Sequence, residues 1–202
     1  MNKELEVRYV NNLTTVENRT ITGYAIVFEQ RSKLIGGEFY EIIKLDSVSK
    51  DLIERSDIKA LFNHNKDLGV LARSKNGKGT LKLELDERGL KYTFDAPSTR
   101  LGDEILESIK RGDLQGSSFA FRIAQGGQTL RKEDNNYIRE ITKIELLDDI
   151  SIVVDPAYEQ TSVSVRDFSE FIEDELNKEK EELLKKEELD NYYKDLESKF
   201  LK

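Results

Sequence analysis

Apolar and polar residues alternate along most of the chain, and the pattern changes to helical spacing near its end. Glu4 to Val10 alternates, and Arg19 to Phe28 is dense in β-branched and aromatic residues, which predicts two strands. Gly36-Gly37 breaks the pattern before a third strand, Phe39 to Ile43. Asp46 to Arg55 has the spacing of a short helix, with Asp46 or Ser47 as its N-cap. Ile58 to Asn63 then returns to strand character and runs into His64.

Leu71 to Ser74 and the alternating Thr80 to Leu85 flank Asn76-Gly77, a hairpin signal because both residues tolerate positive φ. Asp86 to Gly89 turns the chain into Leu90 to Phe94, and Pro97 ends that run. Leu101, Ile105 and Ile109 mark a helix to Arg111, with Lys110 and Arg111 in its last turn and Gly112 after it. Ser117 to Ile123 reads as a strand, Gly126 to Asn136 as a polar loop, and Tyr137 to Ile144 and Leu147 to Val154 as two further strands. From Asp167 onward, Ile172, Leu176, Leu183, Leu184, Leu189, Tyr193, Leu196 and Phe200 recur among Glu and Lys without Gly or Pro. That segment predicts a charged amphipathic helix, either a coiled-coil or partner-binding element or a solvated helix packed on its own domain.

The pattern divides the chain into a β-rich domain, residues 1–166, and a helical tail, residues 167–202. Charge follows the same division. The tail carries 13 acidic and 7 basic residues, so −6 of the net −8 lies there. No basic footprint exists to displace counterions from phosphates, which argues against a nucleic-acid partner. No run approaches the roughly 20 apolar residues of a membrane helix, and the charged start lacks the apolar stretch of a secretory signal. The absence of Cys rules out disulfides and thiolate metal sites, and it suits a reducing cytoplasm. A single His leaves a metal hydrolase only carboxylate-rich sites, and no cofactor is expected. The same scarcity sends any imidazole chemistry through His64.

Three segments bring chemistry-bearing residues to the ends or faces of strands. Ala60-Leu-Phe-Asn-His-Asn65 delivers His64 to a polar turn. Gly112-Asp-Leu-Gln-Gly-Ser-Ser-Phe-Ala-Phe121 leads a helix end into Ser117 and Ser118. Glu145-Leu-Leu-Asp-Asp-Ile-Ser151 sets acids among apolar residues. A nucleophilic Ser needs a base to take its proton, and the base needs a partner to hold its ring. All three residue types are available here. On strict alternation Glu145, Leu147, Asp149 and Ser151 share one strand face, which leaves Asp149 and Glu145 open as the third member and turns Asp148 away.

These segments, in this order, resemble the signature of the prohead serine proteases of tailed phages, a family related in fold to the herpesvirus maturation protease, assemblin. The resemblance runs from about Thr22 to Val165. It rests on Thr22-Gly-Tyr-Ala, Leu61-Phe-Asn-His-Asn, Arg88-Gly-Leu, Ile109-Lys-Arg-Gly-Asp, Gly116-Ser-Ser-Phe-Ala-Phe, Asp149-Ile-Ser, Pro156-Ala-Tyr and Thr161-Ser-Val. By position it implies His64 as the catalytic histidine and Ser118 as the nucleophile, with Ser117 as a neighbour. Asp149 is implied as the third member and Glu145 stands as its substitute. Assemblin's second His has no counterpart in a chain with one His. By analogy with assemblin, the oxyanion hole falls near Pro156 to Tyr158, and Pro156 has no N–H, so Ala157 and Tyr158 are the candidate donors.

The fold this implies is α+β, a closed or partly open β-barrel-like sheet of about six to seven strands flanked by helices, with the C-terminal amphipathic helix appended. The implied role is a serine endopeptidase that cleaves the major capsid protein or scaffold, and itself, inside the assembling prohead in the host cytoplasm. A homodimer is a further possibility that assemblin raises. The competing expectation is a catalytically silent, protease-like assembly protein that acts through its helical tail.

Overall fold

The computed structural model describes residues 5–10, 14–134 and 136–154, and helical residues at 172, 177, 180–181 and 183–193. The chain divides into two compact units, Met1–Val163 and Ser164–Lys202.

In the first unit the strands are β1 (Glu6–Val10), β2 (Thr14–Glu17), β3 (Thr20–Val27), β4 (Phe39–Ile43), β5 (Asp57–Phe62), β6 (Ala72–Lys75), β7 (Lys78–Gly79), β8 (Lys82–Leu85), β9 (Gly89–Asp95), β10 (Gly116–Ile123), β11 (Gln128–Glu133), β12 (Asn136–Ile141) and β13 (Ile144–Val153). The helices are α1 (Lys50–Arg55) and α2 (Arg100–Arg111). Six strands form a sheet in the order β1-β10-β13-β5-β6-β7, three form β11-β12-β4, and four form β2-β3-β9-β8. Most neighbours run antiparallel, but β13 lies parallel to β5 and β12 parallel to β4.

The α+β class holds, and the largest sheet has six strands, but it is not closed into a barrel. The described strands form three separate sheets, and none closes on itself. The shared core explains why separate sheets are stable. Ile21, Ile26, Tyr92 and Phe94 from the four-stranded sheet and Phe119, Phe121, Leu147, Ile150 and Ile152 from the six-stranded sheet belong to one buried cluster, joined by Ile105, Leu106 and Ile109 of α2. Each sheet thus turns one apolar face inward.

Local chemistry explains where the sequence reading shifts. Helix α1 starts later than Asp46, because Leu45–Ser47 forms a 3-10 turn and Ser49, not Asp46 or Ser47, accepts from the Leu52 N–H. Helix α2 is capped by the Thr99 hydroxyl and ends at Gly112, whose φ of 82° costs little only without a Cβ. The stretch expected as a polar loop contains β11. Its alternation is invisible because most of its side chains are polar, and it is held by the β12 ladder and the Arg131–Glu140 pair.

Where the six- and three-stranded sheets meet, four charges are buried together. Arg8 donates to Glu41 Oε1 at 2.5 Å and to Glu6 Oε2 at 2.6 Å. Arg139 donates to both oxygens of Glu6 at 2.7 and 2.8 Å and, through Nε, to Gln128 at 2.7 Å. Two Arg and two Glu balance in charge and satisfy one another, the condition under which buried ions are tolerated. The cluster ties β1 to β4 and β12.

In the second unit, residues 183–193 are helical, with Leu183, Leu184, Leu189, Tyr192 and Tyr193 exposed. Among the described residues no helix is long and apolar enough to cross a membrane.

Candidate active site

His64 reaches the site through a tight turn at the end of β5. Asn63 and His64 have φ of 49° and 56°, and the Asn65 N–H bonds to the Phe62 carbonyl at 3.0 Å. Two consecutive residues with positive φ make a primed turn, a conformation that Asn and His both accept more readily than most residues with a Cβ. The turn is clamped to β13. Asn63 N–H bonds to the Ile152 carbonyl at 3.0 Å, Val154 N–H to Asn63 Oδ1 at 3.2 Å, and His64 N–H to the Ser151 hydroxyl at 3.0 Å.

The other groups come from the β10–β13 ladder. Ser118 lies opposite Ser151, and Ala120 opposite Asp149, so these four share one sheet face. Ser117, Phe119 and Phe121 take the core face, opposite Ile152, Ile150 and Leu147. Strict alternation would have put Leu147 on the face of Asp149. The register instead slips between Ala120/Phe121 and between Arg122/Ile123. Asp148 and Glu145 are the unmatched extra residues, so the shared face expected for Glu145, Leu147, Asp149 and Ser151 is broken.

These elements bring the imidazole, one hydroxyl and one carboxylate together. His64 Nε2 lies 2.6 Å from Ser118 Oγ, and His64 Nδ1 lies 2.6 Å from Asp149 Oδ1. Ser118 and Asp149 are each 3% exposed, and the His64 side chain is 15% exposed. A carboxylate only accepts, so the neutral imidazole places its proton on Nδ1 and leaves a lone pair on Nε2 facing Ser118. The Ser118 hydroxyl also lies 2.7 Å from the Arg8 carbonyl, to which it can donate. One proton thus has two acceptors in reach.

Ser151 is a participant that the sequence reading did not single out. Its hydroxyl donates to Asp149 Oδ1 at 2.9 Å while accepting from the His64 backbone, so it fixes both the carboxylate and the turn. The signal was there in Asp149-Ile-Ser151, two residues apart on a strand. The Arg8 carbonyl, a main-chain group, leaves no trace in residue identities.

The remaining candidates lie elsewhere. Ser117 points to the core face, where its hydroxyl, the Tyr92 hydroxyl and the Thr14 hydroxyl bond one another at 2.6, 2.9 and 3.0 Å. Burial pushes the Tyr92 hydroxyl up in pKa, against the effect of its two partners, so it stays a neutral donor. Glu145 is exposed, with Arg122 Nη1 at 3.7 Å, and is not at His64. Burial pushes the Asp148 carboxyl up, but Lys66 at 2.8 Å and Lys59 at 3.1 Å outweigh it and hold the group below the usual carboxylate range. Ala157 and Tyr158 lie outside the described residues. Among the described residues no group of three or more His, Asp or Glu is arranged to hold a metal ion.

Residues 3–174 match the family model of the caudovirus prohead serine proteases. No curated protein and no solved structure matches the chain. The matched span holds every residue of the hydroxyl–imidazole–carboxylate set and covers most of the 202 residues. The chain therefore belongs to the caudovirus prohead serine protease family.

Proposed function

We propose that the chain is a serine endopeptidase that processes the scaffold or the major capsid protein, and itself, inside the assembling prohead in the host cytoplasm. The reading rests on one observation, the unbroken run from Ser118 Oγ through the imidazole to Asp149, with 2.6 Å at each link.

Ser118 Oγ attacks the substrate carbonyl carbon while its proton passes to His64 Nε2. Asp149 keeps the other ring proton on Nδ1 and stabilises the imidazolium that forms. As the tetrahedral intermediate collapses, His64 returns the proton to the leaving amine and the substrate's acyl group stays on Ser118. A water then repeats the sequence and frees the acid. Before substrate binds, the hydroxyl proton can rest on the Arg8 carbonyl, and rotation about the Cβ–Oγ bond turns it to Nε2. Backbone N–H groups of Ala157 and Tyr158 are our candidates for holding the oxyanion, a contribution of about 3–4 kcal/mol per donor.

The test is co-expression with the cognate capsid and scaffold proteins. The intact chain should cleave them, and folded Ser118→Ala and His64→Ala chains should not, with a loss on the order of a millionfold for the nucleophile. Cleavage that survives in Ser118→Ala overturns the assignment.

The exposed apolar residues of the 183–193 helix favour a second reading, an assembly role for the tail. On the fuller version of that reading the chain is catalytically silent and works only through this helix. It predicts tail-dependent incorporation into proheads with no cleavage under any condition. A homodimer is compatible with both readings, and sedimentation of the full chain across concentration decides it.

A further inference from the structure

Strand β1 is an edge strand of the six-stranded sheet, and its register places Tyr9 directly opposite Ser118 on β10. Opposed residues of an antiparallel pair project to the same face, so the Tyr9 side chain stands on the face that carries Ser118, Asp149 and Ser151. Gly116 lies two residues before Ser118 and faces the same way, diagonally across from Tyr9. A Cβ added at Gly116 would collide with Cε2, Cζ and the hydroxyl oxygen of Tyr9. The tip of the ring therefore rests against the β10 backbone in a notch that exists only because residue 116 has no side chain. His64 bounds the nucleophile from the β13 and β5 side, and Tyr9 bounds it from the β1 side.

We infer that Tyr9, seated on Gly116, is a specificity-determining residue of this site and admits only small side chains next to the scissile carbonyl on the β1 side. The inference rests on the protease reading above. A peptide whose carbonyl carbon sits at Ser118 Oγ must pass between the imidazole and the phenol ring. The imidazole cannot yield without losing its 2.6 Å contacts to Ser118 and Asp149. Nor can the ring sink further, because the β10 backbone lies beneath it. A branched or aromatic side chain directed toward β1 would meet the Tyr9 side chain, whereas Gly, Ala or Ser would clear it. Size exclusion by a fixed wall is worth about 10–200-fold per methylene in selectivity.

A synthetic peptide library randomised on both sides of the scissile bond, read by mass spectrometry of the products, tests this on the full chain. The intact chain and Tyr9→Phe should cleave beside small residues. Tyr9→Ala opens the wall and should raise cleavage beside Leu, Met or Phe relative to Ala by about tenfold or more. Gly116→Ala evicts the ring by an independent route and should broaden selectivity in the same direction, so it decides the matter if Tyr9→Ala does not fold. A folded Tyr9→Ala or Gly116→Ala chain with the selectivity of the intact protein overturns the inference while leaving the protease reading intact. Cleavage that persists in Ser118→Ala, or an intact chain that cleaves nothing, overturns the protease reading and this inference with it.

Discussion

Ser117 and Ser118 are chemically identical and adjacent, yet a single step along a strand sends them to opposite faces of the sheet. Ser117 closes a ring of three hydroxyls with half-buried Thr14 and buried Tyr92, while Ser118 faces His64. Their alanine variants should separate stability from chemistry. Ser117→Ala takes a partner from the buried Tyr92 hydroxyl and from Thr14 and should lower unfolding free energy by about 1–3 kcal/mol, read from urea denaturation, with cleavage retained. Ser118→Ala should melt like the intact protein and be inactive. Asp149→Asn keeps the shape but offers an N–H to the ring, which favours the wrong tautomer. It should lower kcat by about ten-thousandfold with little change in stability. At this scale residue identities carried far. One His left a single candidate base, and the Phe-Ala-Phe run after Ser118 pointed by resemblance to a candidate nucleophile. What they could not carry was the Arg8 carbonyl, because a main-chain oxygen is the same at every position.

Elements decide which carboxylate meets the imidazole. Period-two alternation reads β13 correctly at Asp149 and Ser151 and fails at Leu147 and Glu145, because two register slips insert unmatched residues opposite β10. Nothing in the composition of Leu146-Leu147-Asp148 announces a bulge; it lies just before β13 begins to pair with β5 at Asp149. Strand β1 shows the same limit. Its Glu6 and Arg8 look like solvent-facing charges in the sequence, and they become buried only because Glu41 and Arg139 arrive from 33 to 133 residues away. Burial pushes the Glu6 carboxyl up, but Arg8 and Arg139 outweigh it and hold the group below its ordinary 4.5. A carboxyl lowered in the folded state adds stability that is in place above pH 4.5 and is lost as pH falls through its folded value. Urea midpoints measured as a function of pH should therefore fall below that point, and less steeply in Glu6→Gln. At neutral pH Glu6→Gln should itself cost about 3–5 kcal/mol, because it leaves two guanidinium groups to share one buried carboxylate, that of Glu41.

Across the whole molecule, the β-rich unit and the charged helical segment were both legible, since one shows strand periodicity and the other helical spacing over many residues. The sheet organisation was not. Whether strands close into one barrel or split into three sheets depends on non-local pairing such as β1 with β10 and β4 with β12, and periodicity is blind to it. The family match ends at residue 174, short of the exposed apolar helix at 183–193. A chain truncated after residue 174 should therefore still cleave peptide substrates but enter proheads poorly, as judged by protease content of purified particles. Equal incorporation would remove the tail from the assembly account.

Labelling of the full chain with a fluorophosphonate, followed by peptide mass spectrometry, tests the catalytic assignment most directly. Such a reagent reports a serine only when a neighbouring base activates it. One adduct is predicted, on Ser118, unchanged in Ser117→Ala and lost in folded His64→Ala. An adduct on Ser117, or labelling of Ser118 that persists without His64, would contradict it.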